Sequence, residues 1–168
     1  VLVFILMAVV LVYFFIFGGK DYSSVYDQRL SSGEIENPVS ELSLEEAVNN
    51  FDEDYVYYAL VKAKAYNLHN SALNNNPPVI KFEVDGQIFS IVINNGEIEI
   101  SEEDIGNEDM VISTSKEETV RILLDEDYAR ESILSGKTNV ELTASKTDLV
   151  SKGYVQLYEE LTGEKIGF

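Results

Sequence analysis

Apolar residues recur along this chain in three patterns, and each predicts a different kind of element. The first is an unbroken run, VLVFILMAVVLVYFFIF at Val1–Phe17, with no charge or amide and with Tyr13 as its one hydroxyl. The second is alternation with period two. In VIKFEV, Ile80, Phe82 and Val84 share one face and Lys81 and Glu83 the other, which predicts a half-buried strand. QIFSIVI, EIEIS, MVIST and TNVELTA follow as further strands. Asp85-Gly86 predicts a tight hairpin between the first two, and Asn94-Asn95-Gly96 turns the chain again into the third. An acidic loop, EEDIGNED, leads to the fourth.

The third pattern is apolar residues three and four apart, the spacing of one helix face. SLEEAVNNF places Leu44, Ala47, Val48 and Phe51 on one side behind a Ser43/Glu46 capping box. A second helix is expected from about Glu53 to Asn67, ended by HNSALNNNPP. SKEETVRILLD repeats the capping spacing with Ser115 and Glu118, and its apolar side is Val120, Leu123 and Leu124. DYARESILSG is a shorter helix closed by Gly136. SKTDLVSKGYVQLYEELTG is expected as one last helix, with Ser145 and Asp148 at its start and Gly163 as its stop. Taken in order, these elements predict an α+β domain, a five-stranded mixed sheet with helices packed on one face.

The opening run fits none of these soluble elements. A core helix usually keeps a polar edge, and this one has none. A signal peptide would begin with basic residues and end in small ones, whereas Phe14, Phe15, Ile16 and Phe17 stand where the small residues belong. As a helix the run is about 25 Å long, and Gly18 and Gly19 extend it toward the ~30 Å hydrocarbon core of a bilayer. Tyr13, Phe14, Phe15 and Phe17 form an interfacial cluster before Lys20. The expectation is a single transmembrane anchor at residues 1–19, a tether at 20–42 rich in Gly, Ser, Asp and Pro, and a folded domain at 43–168. Lys20 and Arg29 follow the run with nothing basic before it, which favours a cytoplasmic domain. The chain begins at Val rather than Met, and basic residues upstream would reverse that preference, so the side of the membrane stays open.

Composition narrows the partners. With 30 acidic and 12 basic residues the net charge is −18, the wrong sign for nucleic acid or for lying flat on anionic lipid. Zero cysteines exclude disulfides and thiolate metal sites, and a single histidine, His69, excludes an imidazole cluster within one chain. The acidic runs Asp52–Asp54 and Glu102–Asp104 lack calcium-loop spacing. No nucleophile elbow, P-loop or dinucleotide fingerprint occurs, so no catalytic residue, metal or cofactor is expected.

The last helix carries the most informative pattern. Leu149, Val150, Gly153, Tyr154, Leu157, Tyr158 and Leu161 form a broad apolar stripe. A glycine inside a helix costs about 1 kcal/mol relative to alanine. Gly153 therefore calls for a reason, either close helix–strand contact or room for a ligand. In the second case a Phe at 153 would fill ligand space and leave stability near that of the parent.

The runs IKFEVDGQIFSIVINNGEIEI and MVISTSKEETVRILLDEDYARESILSGKTNVELTASKTDLVSKGYVQLYEEL resemble the sterol carrier protein family. The shared features are a hairpin with a DG turn, a VIST strand leading into a helix, a helix ending in SG, a short strand and a final amphipathic helix. The resemblance spans about Ile80 to Leu161, with Glu53–Leu73 corresponding to the family's first helix. It implies a five-stranded sheet covered by helices, with an apolar tunnel between them that holds acyl chains, sterols or other lipids and is closed in part by the last helix. On that basis the expected lining is Phe82, Ile91, Ile93, Ile112, Val120, Leu123, Leu149, Gly153, Tyr154 and Leu157. The chain departs from the family in ending KIGF rather than a peroxisomal tripeptide and in carrying the apolar run, which suits a tethered lipid-binding or lipid-presenting domain better than a shuttle.

Two other readings stand beside this one. In the first, the space is filled by side chains and the acidic domain is a ligand-free interaction module with an unknown protein partner. In the second, the chain is a pilin-like subunit that assembles through its N-terminal apolar helix, which a basic leader ending just before Val1 would favour.

Overall fold

In the computed structural model, which describes residues 21–125, 127–163 and 165, the five alternating segments form one sheet. The strands are β1 (Val79–Val84), β2 (Gln87–Asn94), β3 (Glu97–Ser101), β4 (Met110–Thr114) and β5 (Asn139–Leu142), in the order β3-β2-β1-β4-β5. β1 and β4 are parallel and every other neighbouring pair is antiparallel, so the sheet is mixed. Both hairpins use the turn their residues favour. Asp85 and Gly86 have φ of 49° and 84°, Asn95 and Gly96 52° and 84°, and two successive positive φ values match the right-handed twist of the flanking strands.

Period-two patterning fixes the faces. Ile80, Phe82 and Val84 of β1 are buried beside Phe89 and Ile91 of β2 and beside Met110 and Ile112 of β4. The opposite face is polar. There Lys81 binds Asp104 at 3.0 Å and Ser113 donates to Glu83 at 3.1 Å. The loop from β3 to β4 crosses this face, and the Ile105 N–H donates to Ser90 Oγ on the way.

The helices are α1 (Ser23–Ser31), α2 (Leu44–Asn49), α3 (Glu53–Lys62), α4 (Lys116–Leu124), α5 (Tyr128–Leu134), α6 (Lys146–Lys152) and α7 (Tyr154–Thr162). At α2 both halves of the capping box form between Ser43 and Glu46. At α4 only half does. Ser115 Oγ accepts from the Glu118 N–H at 3.1 Å, but the Glu118 carboxylate turns away to the Tyr128 and Ser132 hydroxyls.

Three expectations need correction. The segment at 20–42 is no tether over its described length: α1 lies there, and Tyr26, Ile35 and Val39 are buried in the core. Tyr22, Tyr26 and Leu30 are four apart and form a stripe. Tyr26 stacks on Tyr66 with centroids 4.1 Å apart and donates to the Gly96 carbonyl at 2.8 Å. The second helix stops at Lys62, because Lys64 adopts a left-handed φ of 57° before a short 3-10 turn at Ala65–Asn67. The last helix is two helices. Gly153 is not interior but the hinge between α6 and α7, at φ 88°. Among the described residues no helix is long and apolar enough to cross a membrane, and the apolar run at 1–19 lies outside them.

Candidate functional site: an apolar cavity between sheet and helices

The floor of the site is one row of side chains across three strands. Phe82 of β1 is paired with Ile112 of β4, which is paired with Val140 of β5. Above this row, α3, α4, α5 and α7 stand off from the sheet and enclose about 400 Å³. That volume falls within the range of about 300–1,000 Å³ usual for small-molecule sites. The helices contribute Ala59 and Leu60 from α3 with Ala63 at its C-cap, Ile122 and Leu123 from α4, Ala129 and Ile133 from α5, and Leu161 from α7. The space exists because small residues face it. Ala59 and Ala63 are four apart and so lie on one helix face, where two larger apolar side chains would close the gap. Lys62, Asp127, Arg130 and Glu160 also border the cavity; all four are exposed, and their charges mark its rim. Three hydroxyl-bearing residues, Thr114, Thr119 and Thr138, interrupt the apolar wall.

Of the ten residues expected to line a tunnel, Phe82, Ile112 and Leu123 face this cavity. Gly153 and Leu157 instead border a second, more polar space of about 390 Å³, shared with Asp21, Lys64, His69 and Gln156. Glu160 borders both spaces. Ile91, Ile93, Val120, Leu149 and Tyr154 are buried and line neither. Ile91 and Ile93 point to the correct sheet face, but β2 lies on the far side of β1 from β4 and β5, where the cavity sits. The notion that a Phe at 153 would simply fill ligand space is also overturned. A Cβ there would meet only ordinary contacts at 3.7 Å from His69 and Leu68, yet the φ of 88° makes any L side chain strained, by about 1–2 kcal/mol.

Tyr154 belongs to a different feature, a buried ion pair that sequence reasoning missed. Lys152 Nζ donates to both oxygens of Asp109 at 2.8 and 2.9 Å and to the Pro77 carbonyl at 3.0 Å. Each side chain is 6 % exposed. The Val79 N–H donates to Asp109 Oδ2 at 2.8 Å, and the Tyr154 hydroxyl lies 3.1 Å from both that oxygen and the Val79 carbonyl. Burial pushes the Tyr154 phenol well above its ordinary value, and the Asp109 carboxylate adds to the push. The pair ties α6 and the start of α7 to the start of β1. It lies outside the cavity wall, and with its donors and acceptors matched it serves as a structural pin. Among the described residues no group of three acidic or histidine side chains is placed to hold a metal ion.

No protein-family model and no curated protein matches the chain. Among solved structures, a chain described as "UbiJ-SCP2 Ubiquinone synthesis protein" is similar over 59 % of this chain and 73 % of its own length, at 20 % identity and a TM-score of 0.36.

Proposed function

We propose that this chain is a membrane-anchored, non-enzymatic domain that holds a lipid or other long apolar molecule in the cavity between sheet and helices. The observation that carries the reading is the cavity itself, a space of about 400 Å³ walled largely by aliphatic side chains and rimmed by charge. A chain laid along that wall gains about 0.8 kcal/mol for each methylene it buries, less the cost of immobilising it. The sequence resemblance to sterol carrier proteins points the same way, and the open volume disfavours a module with a solid core. The anchor half of the proposal rests on the uncharged residues 1–17. Asp21, the first residue described after that run, borders the second space, which shares Glu160 with the cavity. In this arrangement the domain takes up its ligand close to the bilayer.

One preparation tests both halves. Membranes containing the full chain are washed with carbonate, and the retained protein is extracted gently for native mass spectrometry. The expected result is that the chain stays in the pellet and carries an apolar adduct. Release by carbonate would remove the anchor. An adduct-free chain that also takes up no added alkyl ligand would remove the binding role.

A further inference from the structure

The hydroxyls in the cavity wall have a fixed direction, which can be worked out from the far end of their hydrogen-bond chain. A carboxylate only accepts. Glu118 Oε2 therefore receives the Ser132 hydroxyl at 2.9 Å and the Tyr128 hydroxyl at 3.0 Å, with the Lys137 ammonium 3.9 Å from Oε1. Ser132 has one proton. Having given it to Glu118, Ser132 can only accept from Thr138, 2.9 Å away. The Thr138 proton is then used, so Thr138 accepts from Thr114 at 2.9 Å. The third wall hydroxyl, Thr119, donates to the Ser115 carbonyl one helical turn back at 3.0 Å. All three protons are committed within the protein, and what these three hydroxyls have left to offer is lone pairs.

We propose that the cavity selects, among apolar molecules, those carrying a hydroxyl or N–H donor, and that Thr114 Oγ1 is the acceptor that reads it. The proposal rests on the cavity being a ligand site and adds the polarity of the ligand's polar group. An alcohol places a proton on Thr114. An ether or an ester brings further lone pairs to three hydroxyls that have no proton to offer, and its polar atom stays unpaired beside them, since the cationic donors Lys62 and Arg130 stand exposed at the rim. The selectivity originates outside the cavity, in the Glu118 carboxylate that polarises the whole relay toward itself.

The test is an internal competition. Full chain in lipid nanodiscs is equilibrated with equimolar 1-decanol and decyl methyl ether, and the bound ratio is counted by native mass spectrometry. Comparing ratios between variants cancels the different partitioning of the two ligands into lipid. The alcohol-to-ether ratio is expected to fall about fivefold in Thr114→Val, the scale of one net hydrogen bond. In Thr138→Val the Thr114 proton is freed toward the cavity, so bound ether is expected to rise. Should Thr114→Val lose its near-ultraviolet tyrosine signal, Thr138→Val decides. Equal ratios in the parent and the folded variants would overturn the inference while leaving the cavity as a ligand site. Binding of neither ligand by the parent would overturn the ligand site and the inference with it.

Discussion

Lys152 and Asp109 place opposite charges where neither could stay alone. Both are nearly inaccessible, and each is held by the other and by the backbone around Pro77 and Val79. Removing one partner leaves an uncompensated charge, which typically costs about 3–5 kcal/mol. Lys152→Met is therefore expected to lower the urea-denaturation free energy by about that amount, and a loss below about 1 kcal/mol would show that the pair pins nothing. Two buried tyrosines link stability to alkaline pH. Burial pushes Tyr26 up to about 12 and Tyr154 well above its ordinary value. The unfolded chain releases these protons near pH 10 while the folded chain keeps them. Their contribution is thus whole below about pH 10 and is lost as the pH rises, at about 1.4 kcal/mol per pH unit for each tyrosine. Tyr154→Phe and Tyr26→Phe should each flatten the measured slope between pH 10 and about 12 by that amount, and an unchanged slope would place these phenols in water. None of this could be read along the chain. Asp109 and Lys152 stand 43 residues apart, and each looks like any other surface charge until the fold brings them together.

At the scale of elements, local patterns were legible wherever a short-range rule decides. The two hairpin turns, the five strands and the Ser43 and Ser145 caps all follow from residues within a few positions of each other. Misreadings arose where composition hid spacing. The stretch at 21–42 is polar enough to resemble a linker, yet Tyr22, Tyr26 and Leu30 keep helical register inside it, and Tyr26, Ile35 and Val39 close the core. Each such side chain contributes about 1.5–3 kcal/mol when buried. Losing three is comparable to the whole stability of a domain this size, about 5–15 kcal/mol. A chain starting at residue 43 is therefore expected to lose its cooperative urea transition, whereas one starting at residue 21 keeps it. Equal transitions in the two would return this segment to the status of a tether. Gly153 was misread for a related reason. The apolar stripe runs through it without a break in period, and the left-handed φ that ends α6 and lets α7 begin leaves no mark in that period.

At the scale of the molecule, the chain joins two surfaces that water treats oppositely: a seventeen-residue run that carries no charge, and an acidic remainder that carries the whole net charge of −18. The α+β architecture was legible because the sheet and its helices each bury one patterned face. The cavity was only partly legible, since its floor residues Phe82 and Ile112 sit on an alternating strand face, while its roof depends on what is missing from α3. Ala59 and Ala63 resemble ordinary helix formers, and only their position opposite Phe82, Ile112 and Val140 turns their small size into open volume. That volume is the central claim, and Ala59→Phe tests it most directly. In a helix the substitution strains no backbone, and the ring has the cavity to enter. The full chain, freed of lipid, is compared with its Ala59→Phe variant for unfolding free energy and for occupancy by ten-carbon alkyl ligands, summed over alcohol, ether and acid. With an open cavity, stability changes by less than about 1 kcal/mol while occupancy falls at least several-fold. A loss of about 1–3 kcal/mol from overpacking, with ligand occupancy unchanged, would contradict the account.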